Sequence, residues 1–237
     1  MKRLRYLPVS IFLIIVSSVF WACFCKKGEG KIITEIRTIT DFNEIVLDGQ
    51  AQVYIRQDTF ISLKVVTDSN LLANIKTEIS GRKLKIYDSR CLKNVTEYKI
   101  FLTFKDISEI KVEGSVKLKS DSVIKAENLY ISDKSAGEVD LRVDTDELDV
   151  ETGGSGLLKL SGRALDFELD VDEAGSVEAY ALQAKNVDAN IYGAGSCKIT
   201  VSERLNGNIE GSGKIFYKGN PKKVKADISG TGKMVAN

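Results

Sequence analysis

Six carboxylates fall at alternating positions in a 237-residue chain: Asp149 and Glu151, then Glu168, Asp170 and Asp172, then Asp188. Carboxylates crowded onto one face repel each other. A hard divalent cation such as Ca²⁺ relieves this by taking several carboxylate oxygens at once. A suitably spaced pair could instead share acid and base work on a glycosidic bond. The plain alternative is a solvated acidic face. No EF-hand or nonapeptide calcium pattern accompanies the six, and the acids between Asp140 and Asp149 lack the glycine and terminal Glu of an EF-hand loop. The expectation is no resident cofactor, with Ca²⁺ at these carboxylates as the one candidate metal. There is no histidine. That removes the commonest general base, the Ser-His and Cys-His arrangements and His-based metal sites. No catalytic residue is assigned.

The remaining charges narrow the partners. Lys and Arg number 34 against 33 Asp and Glu. Lys2, Arg3 and Arg5 crowd the first residues, so the rest is slightly acidic and carries no nucleic-acid footprint. Lys218, Lys222, Lys223 and Lys225 cluster near the end. They could meet an anionic glycan or lipid, or simply protect a terminal strand edge with charge. Of the four cysteines, Cys23 and Cys25 sit at a processing site, while Cys91 and Cys197 lie far apart. No disulfide framework is expected, and Cys197 reads as a buried free thiol.

Residues 1–22 have the form of an export signal. Lys2, Arg3 and Arg5 precede the apolar run Ile11-Phe12-Leu13-Ile14-Ile15-Val16. Phe20-Trp21-Ala22-Cys23 resembles a bacterial lipobox, with Phe20 where Leu is usual. Three readings stay open: lipidated Cys23, ordinary cleavage, and an uncleaved helix over residues 7–24. Residues 23–31 are then expected to be a lipidated or flexible tether. The implied location is exported, in the periplasm or at the outer membrane or cell surface, with a membrane contact through the N-terminal anchor.

The elements that would position the carboxylates emerge from a repeat. Small-residue clusters recur at Gly114, Gly137, Gly156, Gly175, Gly195, Gly213 and Gly232, spaced by 23, 19, 19, 20, 18 and 19 residues. Two residues after each glycine stand Val116, Val139, Leu158, Val177, Cys197, Ile215 and Met234. Eight before it, from the second repeat on, stand Leu129, Leu148, Phe167, Val187, Leu205 and Val224. Every second position is mostly apolar on both sides, which is strand alternation with one buried face. Each repeat is therefore two short strands joined at a tight corner, where glycine is expected to supply a positive φ. An outward column three residues after the glycine, Lys117, Asp140, Lys159, Glu178 and Lys198, alternates in sign and should favour one stacking register. Residues 110–237 are assigned to an all-β, right-handed parallel β-helix of about 19-residue repeats, the alternative being a sandwich of two sheets.

Residues 32–109 read as a less regular β-rich region that caps the solenoid. Ile45-Val46-Leu47-Asp48-Gly49 with Val53 and Ile55 forms a first coil. Strands are expected over 61–66 and 98–104, one helical turn over 71–75, and a hairpin around Ser80-Gly81-Arg82.

The tail Asn208-Ile209-Glu210-Gly211-Ser212-Gly213, Tyr217-Lys218-Gly219-Asn220-Pro221 and Ile228-Ser229-Gly230-Thr231-Gly232 is similar to a bacterial family. It resembles the head GIN domain of auto-transporter adhesins, found in exported proteins of the Bacteroidota, over roughly residues 38–235. The resemblance implies a β-helix in the cell envelope and transfers no catalytic residue. The expected function is binding or adhesion without catalysis, the ligand being a glycan or a surface protein. The alternative is a carbohydrate-active β-helix enzyme, a polysaccharide lyase or hydrolase.

Overall fold

A computed structural model describes residues 25–237. The export signal and Cys23 lie outside the described residues. Strands β1 (Lys26–Lys27), β2 (Ile32–Arg37), β3 (Glu44–Gly49), β4 (Gln52–Gln57) and β5 (Ser62–Asp68) lead to one 3₁₀ turn at Leu72–Asn74. Then come β6 (Ile75–Ser80), β7 (Lys83–Asp88), β8 (Leu92–Lys93), β9 (Tyr98–Phe104), β10 (Glu109–Gly114) and β11 (Lys117–Ser120). The long strands are β12 (Ile124–Asp133), β13 (Glu138–Thr152), β14 (Leu157–Glu173), β15 (Ser176–Gly193) and β16 (Ser196–Gly211). The chain closes with β17 (Lys214–Lys218), β18 (Lys223–Gly230) and β19 (Lys233–Ala236).

From β12 to β17 each strand lies parallel on the next, with Leu148, Phe167, Val187 and Leu205 stacked in one buried column; β18 then pairs with β16 and β19 with β17. Alternation sorts the side chains: Val139, Leu141, Val143, Leu148 and Val150 of β13 are all buried. The parallel ladders make a β-solenoid of about seven turns with ~19-residue spacing. They exclude the two-sheet sandwich, whose strands run antiparallel. One apolar core runs continuously from Phe42 to Ile215.

The first half joins the same stack out of sequence order. β3 pairs in parallel with β10 on one side and β7 on the other. β4 likewise lies between β11 and β9. The coil laid down first is therefore the second in space. The outermost strands are antiparallel: β2 on β5, β5 on β9, and β6 on β7. This change of direction forms the cap.

The structure corrects three expectations. First, a disulfide joins Cys25 to Cys91. Beyond it β1 pairs with β8, and the Gly28 N–H donates to the Lys93 carbonyl at 3.1 Å. Pairing across 66 residues depends on the folded cap, which spacing alone does not reveal. The same contacts hold the segment from Cys25 to Gly30 against the body, so this part is not a flexible tether. Cys197 is buried, and loss of solvent pushes its thiol up to about 12.

Second, the repeat register starts two residues later than the glycines suggest. Val112 stacks on Asp133, and the Ala136 N–H donates to the Gly114 carbonyl, so Gly114 lies against Ser135 rather than Gly137. Third, of the seven corner glycines only Gly114 has a positive φ, 72°. The others form a separate column in which a Cβ would strike the coil below. On Gly156 it would stand 2.5 Å from the Gly137 carbonyl oxygen. The positive-φ column runs beside it through Glu173, Gly193, Gly211 and Gly230.

Candidate binding surface

The solenoid presents two outward flanks. On the flank built from strands entering the corner, Asp149, Glu168 and Asp188 lie side by side on successive coils, and Asn206 continues the row. Glu151 lies beside Asp170, followed by Asn190 and Asn208. Asp172 stands in the next row against Tyr192. All six carboxylates therefore share one flank. Burial lifts the Glu168 carboxyl above its usual range, and Asp149, Asp170 and Asp188 push it the same way.

Amide ladders answer part of this charge. Asn190 Nδ2 donates to Asp170 Oδ1 at 2.8 Å, and Asn206 Nδ2 donates to Asp188 Oδ1 at 2.5 Å. Arg204 Nη2 donates to Asp188 Oδ2 at 3.0 Å. Among the described residues no three of His, Cys, Asp and Glu are placed to hold a metal ion.

The opposite flank carries the alternating ladder, with one change of member. Lys119, not Lys117, faces Asp140, and the row continues through Lys159, Glu178 and Lys198. The two-residue shift at the first corner moves Lys117 opposite Glu138. Lys159 Nζ donates to Glu138 at 2.6 Å, and Lys198 Nζ to Glu178 at 2.9 Å. These bonds hold the Glu138 and Glu178 carboxyls below their usual range and raise both lysines.

Toward the cap the same row turns apolar: Lys119, Tyr54, Phe101, Lys64, Ile36. The Tyr54 and Phe101 rings stack at 5.2 Å, and Lys64 Nζ sits 4.2 Å from the Phe101 centroid. Ile36 and Phe60 stand beside them, 78% and 55% exposed. A cavity of about 340 Å³ opens here, lined also by Arg56 and a single carboxylate, Asp121. Two cations beside an apolar wall suit an amphipathic ligand with an anionic group. A lone carboxylate supplies no acid/base pair for a glycosidic bond. The sequence reading missed this site because β4 and β9 meet only through the out-of-order stacking. The available signal was the break in alternation at Ile100-Phe101-Leu102.

Comparison with known proteins places this geometry. The model of the family described as "Putative auto-transporter adhesin, head GIN domain" matches residues 41–221. A crystal structure of a "putative adhesin" from Bacteroides fragilis superposes with a TM-score of 0.85 at 26% identity, covering 89% of this chain and 99% of that one. A "putative lipid binding protein" from Parabacteroides distasonis gives 0.75 at 26% identity, over 89% and 98%. A "putative adhesin" from Parabacteroides merdae, 23% identical over 89% and 98%, shares the fold with a TM-score of 0.73. A search of curated proteins returns no match.

Proposed function

The chain belongs to the putative auto-transporter adhesin, head GIN domain family, and from that premise we propose that it is an exported cell-envelope protein, lipid-anchored through Cys23, that binds a glycan or surface protein and performs no catalysis. The observation that carries the export reading is the Cys25–Cys91 disulfide. Such bonds persist in oxidising compartments and are rare in the cytosol. The bond lies two residues past Cys23, so an anchor there would hold the cap close to the membrane. The solved neighbours described as adhesins support a binding role, and the cavity beside Tyr54 and Phe101 is the surface offered for it. No resident cofactor is needed for this role.

Two measurements test the proposal. A lipid precursor should label the full chain in cells and should not label Cys23→Ala; equal labelling of both refutes the anchor. A glycan array and pull-down with residues 25–237 should return a ligand whose capture falls at least tenfold with Arg56→Ala plus Lys64→Ala, on the order expected from losing two charged contacts. Undiminished capture moves the binding site elsewhere.

A further inference from the structure

The coil at the end away from the cap is finished differently from the rest. Leu205 and Ile209 of β16 are fully buried, but their successors Val224 and Ile228 in β18 are 46% and 41% exposed. Along its whole length β18 is exposed. Among the described strands its ladder partner is β16, which leaves the opposite edge free to pair. Natural free edges are usually blunted by a proline, a bulge or an inward-pointing charge. β18 holds none of these three; the guard it does carry is charge at Lys223 and Lys225, and its inward positions are Val224, Ala226 and Ile228.

The outward positions say what fits. Lys225 and Asp227 are both exposed, and neither forms an ion pair with another described residue. Two lysines nearby are engaged: Lys222 Nζ lies 2.7 Å from Glu203, and Lys218 Nζ sits 4.3 Å from the Tyr180 ring centroid. Lys223, the first residue of β18, is exposed as well. Antiparallel pairing of β18 with a second β18, centred on Ala226, sets Lys225 opposite Asp227 twice and Val224 opposite Ile228 twice. Shifting the centre to Asp227 sets Asp227 opposite itself. Shifting it to Lys225 sets Lys225 opposite itself, although it brings Lys223 opposite Asp227 twice. Of these three registers the one centred on Ala226 alone sets no like charges opposite each other, and that favours it over the slips.

We infer that β18 is a homodimerisation edge, occupied by β18 of a second copy related by a two-fold axis through Ala226. The contact continues the solenoid from one molecule into the other by strand addition. Because the same patch serves both partners, the assembly closes at two. β19 lies beside this edge and adds exposed Val235 to the joint.

Sedimentation equilibrium of residues 25–237 tests this with charge exchange. Wild type should follow a monomer–dimer equilibrium. Lys225→Asp and Asp227→Lys should each weaken dimerisation at least tenfold. An equimolar mixture of the two variants should recover the dimer as a heterodimer, and the double variant should recover it alone. Both positions are exposed, and a thermal melt of each variant checks the fold. Three results overturn the proposal: a wild type that stays monomeric, single variants that dimerise like wild type, or open-ended polymers. Polymers would mean that β18 meets the cap of the next copy instead.

Discussion

Cys25 and Cys91 are joined at the point where β1 meets β8, so the covalent bond and a short parallel ladder fasten the same stretch of chain. Lys26 pairs with Leu92, and Asn70 Nδ2 donates to the Lys27 carbonyl at 2.7 Å. The bond closes a loop that contains β2 to β7, and so the coil of β3 and β4 and most of the cap. Closing a loop of this length removes on the order of 4 kcal/mol of chain entropy from the unfolded state. Urea unfolding of the oxidised protein should therefore show a clearly higher midpoint than Cys91→Ala. Equal midpoints would mean that the ladder alone holds this segment.

Asp68 anchors the next turn of the same stretch. Burial raises its pKa, but donors from Thr96 and Gly30 outweigh that and hold it below the ordinary value. The Thr96 N–H donates at 2.8 Å and the Gly30 N–H at 2.5 Å. A depressed carboxylate pKa contributes stability that is present above the unfolded pKa of about 3.9 and lost as pH falls through the folded value. Asp88 and Asp133 act in the opposite sense, since burial raises both. The informative quantity is therefore the difference between wild type and Asp68→Asn. That gap should be about 2 kcal/mol at neutral pH and should narrow as pH falls below the unfolded carboxylate value.

The two corner columns should respond oppositely to substitution. Glu173 has φ of 53° in a column where Gly193, Gly211 and Gly230 have φ near 127°, 124° and 129°. Glu173→Gly relieves a left-handed non-glycine and should raise stability by up to about 1 kcal/mol. Gly156→Ala drives a methyl toward the Gly137 carbonyl oxygen and should cost about 2 kcal/mol. Denaturant midpoints measure both.

The charge ladder should act more on register than on stability. Lys159→Glu places an acid among Glu138, Asp140 and Glu178. The loss should be small at low salt and shrink as salt is added, because these groups are about half exposed. A loss that salt leaves unchanged would point to packing of the lysine stem instead.

The acidic flank should not depend on calcium. Asp170 and Asp188 already accept amide and guanidinium donors. Thermal melts with chelator and with added Ca²⁺ should share one midpoint. A rise with Ca²⁺ would show a cation between rows.

Much of this fold can be read from period two alone. Leu148, Phe167, Val187 and Leu205 announce their column because each sits among polar neighbours on strands of equal phase. Gly114 misleads because the corner holds two columns of small residues, and sequence cannot say which glycine belongs to which. Glu173 hides the second column further by filling a glycine position. The Tyr54–Phe101 stack was invisible for a topological reason: β9 reaches β4 only after the chain has left the coil and returned. The Cys25–Cys91 pair depends on that same excursion. The six carboxylates were visible as a group, but their Asn and Arg partners come from coils whose register had first to be established.

The out-of-order start separates two things that most folds inherit together. The cap, with its disulfide and antiparallel strands, is built from residues before β10, and the β18 edge from residues after β17. What lies between is one motif copied, each copy adding about 4.8 Å. Duplication or loss of a coil such as Leu157 to Gly175 would lengthen or shorten the rod by one such step and leave both ends unaltered. Reach can thus drift in evolution as a count of copies, while the root and the tip evolve as separate traits.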